Sequence, residues 1–87
     1  MAGPSIIEVG ISAWVKVADA VQQGHIWIMD AEPEAFFQTW VDAGDPAPTD
    51  MSTARKIDGN HLPISSSRDI DVYMICQGVS GKIRVDV

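Results

Sequence analysis

The fold is decided near the end of the chain, by IDVYMIC at residues 70–76 and KIRVDV at residues 82–87, with QGVSG between them. The first run is rich in β-branched and apolar residues, and the second alternates strictly between charged and β-branched ones. This pattern predicts two strands that form a hairpin with each other. Because successive side chains of a strand point to opposite faces, the residues of the last strand that we expect to face the core are Ile83, Val85 and Val87.

Three segments upstream also have the composition of strands. They are AWVKV at residues 13–17, HIWIM at residues 25–29 and AFFQTWV at residues 35–41. Residues 18–24, between the first two, are expected to form a helical turn or a loop. Residues 42–50 are rich in Asp, Gly, Ala and Pro and form the clearest predicted loop.

Residues 55–64 predict a second, shorter hairpin. Asp58 and Gly59 form the Asp-Gly sequence that is preferred in a two-residue hairpin turn, in which both residues need a positive φ. Pro63 lacks a backbone N–H and therefore confines the second arm to a sheet edge. Residues 65–69 are polar and are expected to connect this hairpin to the strand that follows.

These signals together predict an all-β protein, a small antiparallel β-sandwich or barrel of about six short strands with an N-terminal arm. No segment keeps a helical period over the length that a crossover helix requires. The chain has 87 residues, which is enough for one domain. We expect an arm or edge strand at residues 1–12 and a single β-sandwich domain at residues 13–87.

The charge and hydropathy of the chain argue against several classes of partner. Acidic residues outnumber basic ones by 12 to 6, the net charge is −6, and the basic residues are scattered. Nucleic-acid binding needs clustered Lys and Arg, so no nucleic-acid partner is expected. No apolar run approaches the roughly 20 residues that span a bilayer, and the first residues lack the positive start of a secretory signal. We therefore expect a soluble protein, made in a cytoplasm, with no membrane partner.

No arrangement of residues in the sequence predicts catalysis or a bound metal. His25 and His61 are far apart in the chain and belong to no metal-ligand spacing. The serines at residues 65–67 lack the strand-to-helix turn that surrounds a Gly-x-Ser-x-Gly nucleophile. The aspartates of residues 42–50 lack the order of a calcium loop, although a metal would be sought there first. Cys76 ends an apolar run and is expected in the core. We therefore predict no catalytic residue, no metal ligand, no cofactor and no enzymatic activity.

Large apolar side chains are the best candidates for contacts with other chains. With one cysteine, no intrachain disulfide is possible, so we expect association to add stability. Phe36 and Trp40 share one face of a predicted strand and are the first candidates for a subunit contact. The alternative is that all the Trp and Phe side chains lie in a two-layer core. Ile6, Ile7 and Val9 form an apolar segment that is suited to add a strand to the open edge of a neighbour.

A series of short stretches stands in order along the chain: WVKVA at residues 14–18, IWI at 26–28, APT at 47–49 and the closing run at 71–87. Together they resemble small β-sandwich structural proteins of tailed bacteriophages, which include capsid decoration proteins and β domains of head or tail fibres. The resemblance implies a virion protein that is synthesised in the host cytoplasm and located on the capsid surface. It also implies that the protein binds the major capsid protein, commonly as a homotrimer, and clamps neighbouring capsid subunits.

Two other functions stay open on the sequence. One is a small carbohydrate- or protein-binding β module, for example a fibre or collar component, in which Trp27 or Trp40 acts as a stacking platform. The other is a small enzyme or metalloprotein, which the lack of clustered acids, bases or ligands makes the weakest of the three.

Overall fold

The structure, a computed structural model, describes residues 5–29, 35–57 and 59–87. Its strands are β1 Ser5–Val9, β2 Val15–Ile28, β3 Phe36–Asp42, β4 Arg55–Lys56, β5 His61–Cys76 and β6 Gly81–Asp86. They form one antiparallel sheet in the order β1-β6-β2-β5-β3-β4. The described residues contain no α-helix, which confirms the predicted all-β class, and hence no helix that could cross a membrane. The first four residues of the predicted arm and Asp58 of the predicted turn lie outside the described residues.

The two central strands are longer than the sequence predicted, with 14 residues in β2 and 16 in β5. β2 and β5 pair with each other at both ends, but β2 pairs with β6 only through residues 25–28, and β5 pairs with β3 only through residues 70–76. The β2–β5 register shifts three times between Lys16 and Gln23 of β2. Such irregularities bend a strand and increase its twist, so each long strand contributes to two parts of the sheet.

Two segments that were expected to be connections, residues 18–24 and 65–69, are instead the middle of β2 and of β5. The last two register shifts lie in residues 18–24, and the last of them moves from Ile70 to Ser65 of β5, so neither segment has the regular pairing of an ideal strand. Ala20 has a φ of 53°, a left-handed conformation that is uncommon for a residue with a Cβ. The prediction of a turn or loop was wrong because irregular strand and turn have similar local patterns.

Both predicted hairpins are also wrong. β2 lies between β5 and β6, so the runs at residues 70–76 and 82–87 are not neighbours in the sheet. β4 pairs with β3, whereas the first part of β5 pairs with β2, so residues 55–64 do not form a hairpin either. A hydrophobic pattern shows which face of a strand is buried but not which strand lies beside it. Gly59 does have the positive φ, 74°, that the predicted turn required.

One hydrophobic core is shared by both parts of the sheet. It contains buried side chains from β1, β2, β3, β5 and β6, together with Ile57. Ile83 and Val85 of β6 are buried, as the alternation predicted, whereas Val87 follows the end of the strand and is exposed. Cys76 is buried, as expected.

The second half of β5, residues 70–76, is buried on both faces. The chain between β3 and β4 covers its outward face, because hydrogen bonds tie residues 43–54 to the sheet and to the start of β2. These bonds run from the Gly44 N–H to Asp71 Oδ2 at 3.2 Å, from the Thr39 hydroxyl to Thr53 Oγ1 at 3.1 Å and from the Trp14 indole N–H to the Asp50 carbonyl at 3.1 Å.

Asp71 is a fully buried carboxylate at the centre of this arrangement. Its Oδ1 accepts a hydrogen bond from the backbone N–H of Ala20 at 2.8 Å, and its Oδ2 accepts the bond from Gly44. The Lys16 ammonium lies 3.4 Å from Oδ2. The bond from Ala20 holds the pKa of Asp71 below its ordinary value despite burial, and Gly44 and Lys16 act in the same direction. Asp71 therefore holds the irregular part of β2 and the chain after β3 in place.

Candidate functional site

A row of exposed and half-buried side chains crosses the outward face of four strands. Ile6 of β1 lies opposite Arg84 of β6, Arg84 lies opposite Trp27 of β2, and Trp27 lies opposite His61 of β5. Residues directly opposite one another share a sheet face, and His25 is on the same face because it is two positions from Trp27. Ile6 is 64% exposed and Trp27 is 40% exposed. We call these five residues the Trp27 face.

The alternation HIWI at residues 25–28 produces this arrangement. Ile26 and Ile28 point into the core and are buried, so His25 and Trp27 must point outward. Exposed apolar residues that occur singly are ordinary, but an aromatic side chain within a row of neighbours marks a candidate contact surface.

The aromatic rings of the Trp27 face are packed against one another. The rings of Trp27 and His61 are stacked, with centroids 3.9 Å apart and planes at 16°. Nδ1 of His25 lies 2.8 Å from Nε2 of His61, and the centroids of these two rings are 5.0 Å apart with planes at 17°. A short distance between nitrogens combined with distant centroids places the two imidazoles edge to edge in nearly one plane. His61 therefore contacts Trp27 by its face and His25 by its edge.

The charges around the Trp27 face balance. Glu8 lies opposite Lys82, and the Arg84 guanidinium lies 3.4 Å from the Asp86 carboxylate. These two acids and two bases cancel, so the net charge of −6 is carried by the rest of the chain. Exposed pairs of this kind add little stability. Their effect is to leave this region as a neutral patch on an acidic protein.

A second candidate is an open groove beside Trp40, with a volume of about 820 Å³. Trp40 lies opposite Val72 and is 36% exposed, so it stands on the core-facing side of the sheet at a place where the core is not closed. Arg55 is the charged residue of the lining. The lining residues are Gln38, Thr39, Trp40, Val41, Ser52, Thr53, Ala54, Arg55, Leu62 and Pro63. We call this the Trp40 groove.

The apolar segment at the start of the chain is part of the sheet. Ile6, Ile7 and Val9 belong to β1, which pairs with β6 of the same chain along its whole length and lies at one edge of the sheet. Ile6 is exposed, Ile7 is half-buried and Val9 is fully buried. Of the three, Ile6 is the residue that a partner would meet first.

The assignment of Phe36 to a subunit contact needs correction. Phe36 lies opposite Cys76 and is 1% exposed, so it is part of the core. The alternation correctly placed Phe36 and Trp40 on one side of β3, but this side faces the core. Trp40 is accessible because it is near the end of the strand, where the cover is incomplete. Sequence alternation shows that two residues share a face, and the tertiary structure decides where along the strand that face is covered.

The cluster of His25, His61 and Trp27 was not predicted as a unit. The register of β2 against β5 brings these residues together, since Trp27 lies opposite His61. The sequence does contain a weak signal, because His25 and Trp27 alternate with buried isoleucines and must share an exposed face. The sequence around His61 does not indicate which residue lies beside it in the sheet, because this depends on the bend of β5.

The two surfaces differ in what they can do chemically. The lining of the Trp40 groove includes hydroxyls, an amide and a guanidinium, but no carboxylate, imidazole or thiol. Among the described residues, no group of three or more His, Cys, Asp or Glu side chains is arranged to hold a metal. The Trp40 groove therefore offers hydrogen-bonding groups to a ligand, whereas the Trp27 face carries two imidazoles.

Comparison with known proteins gives no match of any kind: no family model, no curated protein and no solved structure matches the chain. The resemblance to phage structural proteins therefore stays an expectation from the sequence.

Proposed function

We propose that this protein is a non-catalytic structural protein of a tailed-bacteriophage virion, which binds the outer capsid surface and stabilises the shell. The observation that carries the proposal is the Trp27 face, where an indole, an isoleucine, two imidazoles and a guanidinium share one outward side of the sheet. Trp and Arg are enriched among the residues that contribute most to protein–protein binding, and Trp27 and Arg84 are adjacent here. The major capsid protein is the partner that the sequence resemblance supports.

The dimensions of the Trp27 face suit a contact that is repeated many times. Neighbouring strands lie about 4.8 Å apart, so the row from Ile6 to His61 spans roughly 15 Å. Because the row is only one to two residues wide, the area that it covers is smaller than the standard interface of about 800 Å² per partner. One copy therefore binds weakly, but an oligomer that engages several equivalent sites on a lattice gains affinity through effective concentration.

The charge of the remaining surface supports the same proposal. This surface carries the net charge of −6, which favours solubility and opposes non-specific association at the high local concentration of a capsid surface. We include the homotrimer in the proposal, with the edge strand β1 as the element through which copies associate.

Capsids assembled without this protein provide the test. We expect wild-type protein to bind them saturably, and Trp27→Ala to bind at least about 30-fold more weakly, which corresponds to a loss of about 2 kcal/mol. Trp40→Ala is the matched control, because Trp40 lies outside the Trp27 face, and it should bind within about threefold of wild type. Light scattering on the purified wild-type protein, without capsids, should give the mass of a trimer.

Two results would count against this proposal in different ways. Failure of the wild-type protein to bind capsids would remove the capsid as the partner. Equal binding by wild type and Trp27→Ala would keep the capsid but exclude the Trp27 face as the contact. The melting temperature of each variant, measured in parallel, shows whether weaker capsid binding results from a loss of folding.

A carbohydrate-binding module is the second candidate, and the Trp40 groove is the observation that favours it. Its volume of about 820 Å³ is within the range of ligand pockets, and Trp40 stands beside hydrogen-bonding groups that could orient hydroxyls. Trp27 is less suited to this role because His61 covers one face of its indole. On a glycan array, wild-type protein should give hits that Trp40→Ala loses and Trp27→Ala keeps. An array without hits would exclude this alternative.

A further inference from the structure

We infer that His25 and His61 form a two-imidazole site for a divalent transition-metal ion of the zinc, nickel and copper class. This inference is independent of the proposed function, because it concerns a property of the isolated chain. Imidazole is the commonest protein ligand for these ions. Nδ1 of His25 and Nε2 of His61 already lie 2.8 Å apart, although the two residues are far apart in the sequence.

The distance between the two nitrogens is close to the one that a metal requires. Metal–nitrogen bonds are about 2.0–2.1 Å long. Two nitrogens bound to one ion at angles between square-planar and tetrahedral values are therefore roughly 2.8–3.4 Å apart. The separation in the structure, 2.8 Å, is at the short end of this range. The backbone of β2 and β5 does not need to move for both rings to reach a common ion.

In the metal-free pair, one nitrogen donates its proton to the lone pair of the other. To bind a metal, both facing nitrogens must offer lone pairs, so the ion takes the place of the shared proton. The rings are edge to edge and nearly coplanar, so each lone pair lies close to the line between the two nitrogens. Each lone pair must turn away from this line by roughly 35–45° to point to a common ion. Rotation about the Cβ–Cγ bond of histidine has a broad energy profile, which permits an adjustment of this kind.

The surroundings of the pair favour a site that is preorganised and open. The Trp27 indole stacks on His61 at 3.9 Å and limits the motion of that ring. His25 is exposed on the outward face of the sheet, so an ion can enter from solvent. The part of the chain that the structure describes offers no third ligand to complete a closed site. Water fills the remaining positions, so the binding is weaker and more readily reversed than that of a structural zinc site.

Metal titration of the protein without any added histidine tag tests this inference. We expect calorimetry with Zn²⁺ to show saturable binding of one ion per chain, with tighter binding of Ni²⁺ and Cu²⁺ in the order of their general affinities. His25→Gln and His61→Gln should each weaken binding by about tenfold or more. Mg²⁺ should neither bind nor compete, because it prefers oxygen ligands.

Trp40→Phe is the matched control, since Trp40 lies in the Trp40 groove and the substitution leaves both imidazoles and Trp27 unchanged. It should bind Zn²⁺ as wild type does. In wild type, Cu²⁺ should quench the part of the tryptophan fluorescence that Trp27→Phe lacks, because Trp27 is in contact with His61. The inference is overturned if wild type shows no saturable Zn²⁺ binding, or if both histidine variants bind Zn²⁺ as tightly as wild type.

Discussion

Replacing Asp71 with asparagine is expected to lower the free energy of unfolding by about 3 kcal/mol, a large part of the stability of a small domain. Asp71 is fully buried and accepts hydrogen bonds from the backbone N–H groups of Ala20 and Gly44. An amide has the same shape, but one end of it is a donor. The NH₂ group of the asparagine would therefore face one of the two backbone N–H groups. The negative charge that Lys16 contacts would also be lost.

Urea denaturation of wild type and Asp71→Asn measures this loss. Asp69→Asn is the matched control, because Asp69 is an exposed residue of the same strand whose carboxylate accepts a bond from Gln22. Its effect should be within about 0.5 kcal/mol of zero. Similar stabilities for the two variants would show that Asp71 does not hold β2 and the chain after β3 in the way described above.

The same substitution should change how stability depends on pH. The folded-state pKa of Asp71 is lowered, chiefly by the bond from Ala20, so at moderately acid pH the unfolded chain binds more protons at this position than the folded protein. The contribution of Asp71 is therefore present above about pH 4 and is lost as the pH falls through the folded-state pKa. The difference in stability between wild type and Asp71→Asn should narrow on acidification. A difference that stays constant down to the lowest accessible pH would contradict this account.

Replacing Phe36 with alanine should destabilise the protein by about 3–5 kcal/mol, because it removes a buried ring and leaves a cavity. Phe36 is 1% exposed, whereas Trp40 on the same side of β3 is 36% exposed and borders an open groove. Trp40→Ala is therefore expected to cost only about 1 kcal/mol. The comparison separates a core residue from a residue at the rim of the core.

Chemical denaturation of the two alanine variants gives the result directly. If Phe36→Ala is too unstable to purify, Phe36→Leu keeps most of the volume and should lose less than about 1.5 kcal/mol. Equal losses for Phe36→Ala and Trp40→Ala would mean that the two side chains are buried to the same extent, contrary to the structure.

Much of the candidate site depends on pairings between strands that no local sequence pattern indicates. The alternation at residues 25–28 was enough to place His25 and Trp27 on an outward face. It could not supply His61 or Arg84, because these residues reach Trp27 through the registers of β5 and β6. Likewise, the pattern of β3 placed Phe36 and Trp40 on one side but did not show that this side faces the core.

The sequence by itself determined the all-β class, the burial of Cys76 and the inward direction of Ile83 and Val85, because these properties depend on composition and on the two-residue period of a strand. The tertiary structure alone decided that β2 separates β5 from β6 and that two histidines distant in the chain come into contact. The physical reason is the irregular middle of β2 and β5. Asp71 stabilises it through hydrogen bonds to groups on other segments, and the bend there sets which strands become neighbours.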